Sequence, residues 1–244
     1  MKIFVTGIGW AGAAGMGTGR GPTPFALPLG DLPPISRHEI FPDPDSRFGR
    51  LDAFSRLALA GVALALRDAG IEKWKEPRAV GIAASTIYGC VGTDLDYLAT
   101  LGEAPGLASP QLFAYTLPNV FLGEAAIRFG LTGPTVIVSD EEGSGAAALE
   151  TALDYIAGGG DTALAGICDL ARPAQLPERR EPPPGALFLV LERRPTLEPL
   201  GTLSARGVRH GGPLDTHDLR ALAGRLCTGY RTDHPASPTR KGTA

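Results

Sequence analysis

Ser139-Asp140-Glu141-Glu142 places three adjacent carboxylates at one corner of the chain, where such groups can serve as general acid, general base or helix cap. Thr135 to Val138, just before the corner, is an uncharged, largely β-branched run that predicts a strand buried on both faces. After it, Ala147, Leu149, Ala152, Leu153 and Ile156 recur at helical spacing from Gly143 to Ile156. A helix so rich in small residues can lie close to other backbones, which predicts a central, buried position. A strand turning sharply into such a helix offers its corner to free N–H groups and the helix dipole, a setting that favours an anion or a nucleophile. Acting as a general acid or base, Glu142 would need a pKa raised by burial and a polar partner. Acting structurally, it would accept helix N–H bonds. Three contiguous acids repel and are not expected to be buried together. Acids on a turn without histidine are weak evidence for a metal, so neither metal nor cofactor is expected.

Other reactive side chains are scattered. Cys90, Cys168 and Cys227 form no CxxC and no Cys/His cluster, which argues against a disulfide framework or a zinc site. Cys168 falls on an apolar run and reads as core. His38 lies in a proline-rich stretch, His217 just before a short helical segment and His234 near the end; each reads as solvated or capping. Val5-Thr6-Gly7-Ile8-Gly9 ends a strand in GxG, but Trp10 to Gly17 does not fit a dinucleotide loop. The ribose-binding acid is missing too, because Asp31 sits in a Pro-rich loop.

With 244 residues, 43% hydrophobic and 20% charged, the chain can bury one good core or two small ones. Thirty-three glycines and 22 prolines suit a turn-rich, tightly packed α/β protein. A net charge of −3 gives no reason to expect nucleic acid or an anionic membrane. No apolar run approaches the roughly 18 residues of a spanning helix, and no signal peptide is evident, so a cytoplasmic protein is expected.

The positioning elements follow in order. Lys2 to Gly9 reads as a strand, Thr18 to Gly49 as an irregular connection with a short strand at 38–41, and Asp52 as the cap of a helix closed by Gly70. Val80 to Thr86 is a second buried strand, Asp94 to Ala99 a short helix, and a further helix runs through Arg128. Thr162 to Cys168 and Gly185 to Glu192 are strong strands. Leu200 to Val208 reads as one more strand, Asp218 to Leu226 as a short helix, and Thr232 onward as frayed.

Several of these segments resemble the β-ketoacyl synthases, condensing enzymes of the thiolase fold. Ser109-Pro110-Gln111-Leu112-Phe113-Ala114-Tyr115-Thr116-Leu117-Pro118-Asn119, followed by Phe129-Gly130-Leu131-Thr132-Gly133-Pro134, is the most specific match. Val5 to Gly9, Leu51 to Ala58, Val80 to Thr86, Gly158 to Gly166 and Gly185 to Glu192 add collinear ones. The resemblance spans residues 2 to about 208 and covers half a ketosynthase. Laying Val138 and Gly145 on the ends of the family's elbow pattern puts Glu142 where the family carries its catalytic cysteine.

The resemblance implies an α/β thiolase-like half-fold: a mixed, mostly parallel central sheet with helices on both faces, including a buried central helix. It implies a ketosynthase-like domain over 1–208 and an extension over 209–244 whose last ~13 residues are disordered. Condensation needs a thiolate as nucleophile and leaving group, and two histidines. His210-Gly211-Gly212-Pro213-Leu214 is similar to one histidine motif of the family, but stands only 68 positions after Glu142 and is read as coincidence. Glu142 therefore admits a third reading, a carboxylate that mimics a charged or acylated elbow. Phe113, Tyr115 and Leu117, with Asn119, become candidates to bound an acyl chain or a dimer contact; ordinary core is the alternative. A half-fold leaves apolar surface open. The expected remedy is a ketosynthase subunit or a second copy as partner, in the manner of a chain length factor, with acyl carrier protein as a further partner. A stand-alone acyl-thioester decarboxylase or hydrolase using Glu142, and a homodimeric acyl-binding scaffold, are the alternatives.

Overall fold

The computed structural model describes residues 1–43, 45–103, 108–178, 181–204 and 218–234. Its centre is a seven-stranded sheet in the order β2-β1-β6-β5-β3-β4, with β7 also paired to β1. The strands are β1 (Lys2–Gly12), β2 (Gly15–Thr18), β3 (Val80–Thr86), β4 (Thr135–Ser139), β5 (Thr162–Asp169), β6 (Gly185–Glu192) and β7 (Gly201–Ser204). The sheet is mixed: β3 runs parallel to β4 and β5, while β1 is antiparallel to β2, β6 and β7, and β5 to β6.

Strand alternation sends side chains to two cores. Leu164, Cys168, Ala186, Phe188 and Val190 face one layer with helices α2 (Ala53–Asp68) and α5 (Val120–Phe129). Ala163, Ala165, Ile167, Leu187, Leu189 and Leu191 face the other, with α6 (Ala146–Ala157) and a C-terminal helix, Leu219–Asp233. Two helical layers around one sheet result. The remaining helices are α1 (Arg37–Ile40), α3 (Val91–Glu103) and α4 (Pro110–Phe113); the C-terminal helix is α7.

The most buried helix is α2, not the 143–156 segment expected at the centre. Its buried residues run almost without a break from Phe54 to Leu66, whereas α6 buries only one stripe. Glycines in β1 make this possible. A Cβ on Gly9 would lie 2.2 Å from the Ala65 nitrogen, and one on Gly7 2.4 Å from the Ala65 carbonyl oxygen, so strand and helix backbones touch. The same glycines lie inside a continuous strand rather than in a phosphate-binding turn. Asp52 caps α2 by accepting from Ser55 N–H at 2.9 Å, and its second oxygen accepts from the Thr93 hydroxyl at 2.7 Å.

Other local differences have plain causes. β4 was expected to be buried on both faces; it is an edge strand with Thr135, Val136 and Ser139 exposed. An apolar β-branched run looks the same in a central strand and in an uncovered edge. The 38–41 segment is a single helical turn, α1, where the Glu39 carboxylate accepts from Ser36 N–H at 2.9 Å, rather than a strand. Helix α3 outruns the 94–99 estimate at both ends. Helix α7 passes Leu226 to Asp233, and Thr232, expected to be frayed, donates its hydroxyl to Gly229 O at 2.7 Å in the last turn. Of the 200–208 strand, Gly201–Ser204 forms β7, and 205–208 lie outside the described residues.

Candidate functional site: the elbow after β4

β4 delivers Asp140, whose N–H donates to the Thr86 carbonyl at 2.9 Å, and the chain then reverses through Gly143 (φ 62°) and Gly145 (φ 79°) into α6. Only glycine adopts these left-handed angles at no cost, so the two glycines shape the turn. Asp140 organises it. One carboxylate oxygen accepts from Glu142 N–H (3.2 Å) and Gly143 N–H (3.0 Å); the other accepts from the Ser144 hydroxyl (3.2 Å) and Gly145 N–H (2.8 Å). Ser144 in turn accepts from Ala146 N–H at 3.2 Å.

Glu142 is exposed on this turn. The N–H groups it was expected to cap belong to Asp140, which sits two residues earlier, just past the end of β4, and reaches under the turn. The burial that a general acid or base at Glu142 requires is missing. Proximity in sequence could not tell which of three adjacent acids points inward.

A buried carboxylate that sequence reasoning missed lies behind the elbow. Asp169, at the end of β5, is 4% exposed. One of its oxygens accepts from the Thr86 hydroxyl (2.7 Å), Ile87 N–H (2.8 Å) and Tyr88 N–H (3.0 Å). Burial holds its carboxyl above the usual range, and the three bonds and the charge of Arg220 oppose that shift. The signal in the sequence was a lone acid closing an otherwise apolar strand. Tyr88 extends the network by donating to Glu181 at 2.7 Å, and Glu181 pairs with Arg172 at 2.9 Å.

The 109–119 segment splits into two kinds of residue. Tyr115 packs against the α2–α5 core, and burial pushes its phenol above the ordinary value. It lines a cleft of about 320 Å³ with Arg50, Asp52, Arg56, Gln111 and Leu170. Phe113 is 61% and Leu117 62% exposed, so neither is an ordinary core residue. Phe113 stands 5.5 Å from the Tyr97 ring. Asn119 is exposed at the N-cap position just before α5, with no side-chain cap bond. Pro118 joins this segment to the elbow's surroundings: a Cβ on Gly89, in the loop after β3, would lie 2.9 Å from it.

Cys90, Cys168 and Cys227 are all buried free thiols. Burial pushes Cys90 and Cys227 up to about 12, with acids adding to the effect, and Cys168 is raised as well. A thiol-directed reagent at about pH 8 is therefore expected to leave the native protein unlabelled and to label all three cysteines in denaturant. Rapid labelling of any one under native conditions would show an activated thiol. His38 is exposed and His234 stacks on Tyr230 at 4.4 Å; His210 and His217 lie outside the described residues. Among the described residues no helix is long and apolar enough to cross a membrane.

A mixed sheet between two helical layers, with a glycine-shaped elbow leading into α6, defines a thiolase-like α/β protein. Comparison with known proteins carries this to a family. Residues 36–175 match the beta-ketoacyl synthase N-terminal domain, and the chain belongs to that family. A curated protein of Streptomyces virginiae, described as a polyketide beta-ketoacyl synthase, is 33% identical over 168 residues, 58% of this chain. The match spans 40% of that relative's length. Among solved structures, the ishigamide ketosynthase/chain length factor superposes with a TM-score of 0.61 at 18% identity, covering 82% of this chain and 64% of the other. A ketosynthase in complex with its chain length factor, from Xenorhabdus doucetiae, gives 0.60 at 20% identity, covering 81% and 82%. At these identities the superpositions speak for the fold alone.

Proposed function

We propose that this chain is a non-catalytic, chain-length-factor-like subunit that pairs with an active β-ketoacyl synthase in polyketide or fatty acid synthesis, in the cytoplasm. The observation that carries the reading is the unpaired edge of the sheet. Among the described residues β4 pairs with β3 alone, and Val136 on it is 40% exposed. An apolar edge strand left open is a template for another chain. Exposed Phe113 and Leu117 add apolar surface in the segment that the family resemblance assigns to a subunit contact. The elbow supports the non-catalytic part: it presents an exposed glutamate and holds the half-buried Asp140 among its own N–H donors. In this reading residues 1–208 form the ketosynthase-like unit, 209–244 an extension, and acyl carrier protein meets the assembled pair.

Co-purification with the ketosynthases encoded beside it, followed by light scattering, tests the proposal. A stable one-to-one heterodimer is the expected result. A monomer that ignores every such ketosynthase would end it. A homodimer that binds acyl chains without turnover would favour the scaffold alternative, for which the 320 Å³ cleft beside Tyr115 is the available volume. Turnover of an acyl-carrier thioester that is lost in Glu142→Gln would favour the stand-alone enzyme.

A further inference from the structure

Helix α7 is fastened at both ends. At its start Leu219 N–H donates to the Ser144 carbonyl at 2.7 Å, and Asp218 and Gly145 form an antiparallel bridge. The Arg220 guanidinium reaches into the elbow and donates to the carbonyls of Gly143 and, at 3.3 Å, Pro183. It lies among the carboxylates of Asp218, Asp169 and Asp140, which oppose the lowering that its burial causes. The contact is too close for a side chain on the elbow: a Cβ on Gly145 would stand 2.8 Å from Leu219 Cβ and 2.6 Å from Ile167 Cγ2. At its far end Arg231 donates to the carbonyls of Gly21, Pro22 and Thr23, and Tyr230 lies under the Arg20 guanidinium at 5.4 Å. Between the ends Leu219, Leu222, Ala223 and Cys227 are buried in the core on that face of the sheet.

A 15-residue helix carrying two glycines is marginal in water by itself, so α7 owes its existence to these attachments. The attachments act in both directions. The carbonyls of Gly143 and Ser144 have their donors in α7, and the elbow backbone has its packing surface there. Helix α7 also lies outside the segment that matches the family.

We propose that α7 is a strap that sets the conformation of the elbow, so that docking of the C-terminal helix and order at residues 140–146 form one coupled equilibrium. Arg220 is its latch at the site, and Leu222 is its apolar anchor at a distance from it. Whatever displaces α7 loosens the elbow, and whatever engages the elbow alters the hold on α7, because coupling between two sites is reciprocal. This inference does not depend on the subunit reading.

Amide hydrogen exchange on the full chain tests it. Leu222→Ala leaves every elbow residue in place while weakening the apolar docking of α7. Exchange at the Gly143 and Gly145 amides is expected to rise roughly tenfold, while the β5 amides of Ala163 to Ile167 keep their native rates. Arg220→Met, which keeps the stem and removes the donors, is expected to do the same. Arg231→Met, at the far end, is expected to move the elbow less than either. Unchanged elbow exchange in Leu222→Ala overturns the proposal. So does equal acceleration in β5, because the residue would then act through global stability alone.

Discussion

Replacing Phe188 with alanine is expected to remove about 3–5 kcal/mol of stability, a large share of the 5–15 kcal/mol that holds a typical domain together. Phe188 is fully buried in the middle of β6 and lies edge-on to Phe121 at 6.2 Å, beneath α2. Two glycines shape its slot. A Cβ on Gly166 would stand 2.1 Å from its ring, and one on Gly61 of α2 2.9 Å. Neither glycine has a side chain that could swing into the vacated space, so the cavity persists and the loss belongs at the upper end of that range. The melting temperature should fall by roughly 10 °C. The reciprocal change is equally informative. Gly166→Ala should cost about 1–3 kcal/mol by overpacking in the native background, yet be neutral or stabilising beside Phe188→Ala. Urea titration of the two single variants and the double variant reads both effects. Additive losses would show that the ring and the glycine do not share one space.

The second large effect concerns association. In the proposed heterodimer, Val136→Lys combined with Leu117→Lys is expected to weaken pairing by about a hundredfold or more, because charge on an open edge strand blocks strand addition and apolar contact. The isolated subunit should change in stability by no more than about 0.5 kcal/mol, since both side chains already face solvent. Light scattering across a dilution series, with a urea titration of the variant alone, separates the two. A complex of unchanged affinity would remove β4 and the 117 turn from the interface. A variant that fails to fold would mean that these residues stabilise the chain itself.

Much of the fold was legible in the residues. The apolar runs Gly185 to Glu192 and Thr162 to Cys168 marked the strands that carry both cores, and Asp52 and Gly70 marked the ends of α2. The collinear motifs around Leu51 to Ala58 and Ser109 to Pro134 fall inside the matched 36–175 segment, so the family could be read from them. Position within the sheet could not be read. Thr135 to Val138 and Val80 to Thr86 are both short apolar runs, yet β3 is central and β4 is the edge. Which helix lies deepest was equally hidden, because it depends on Gly7 and Gly9 meeting Ala65 across 55 residues or more of intervening chain.

The candidate site divides the same way. That a strand turns into a helix at Ser139 to Gly145, and that acids stand at the turn, follows from local composition, because β-branched runs, glycines and small helical residues each act over a few bonds. Which acid faces inward is a tertiary matter. Asp140 wins the N–H groups because β4 stops beside Thr86, and Glu142 is left in solvent. The buried Asp169 and the Arg220 latch come from chain segments 29 and 80 residues beyond Asp140. Local sequence specified the bend itself, and only the packing of β3, β5 and α7 around it decided which charges it buries and which it shows.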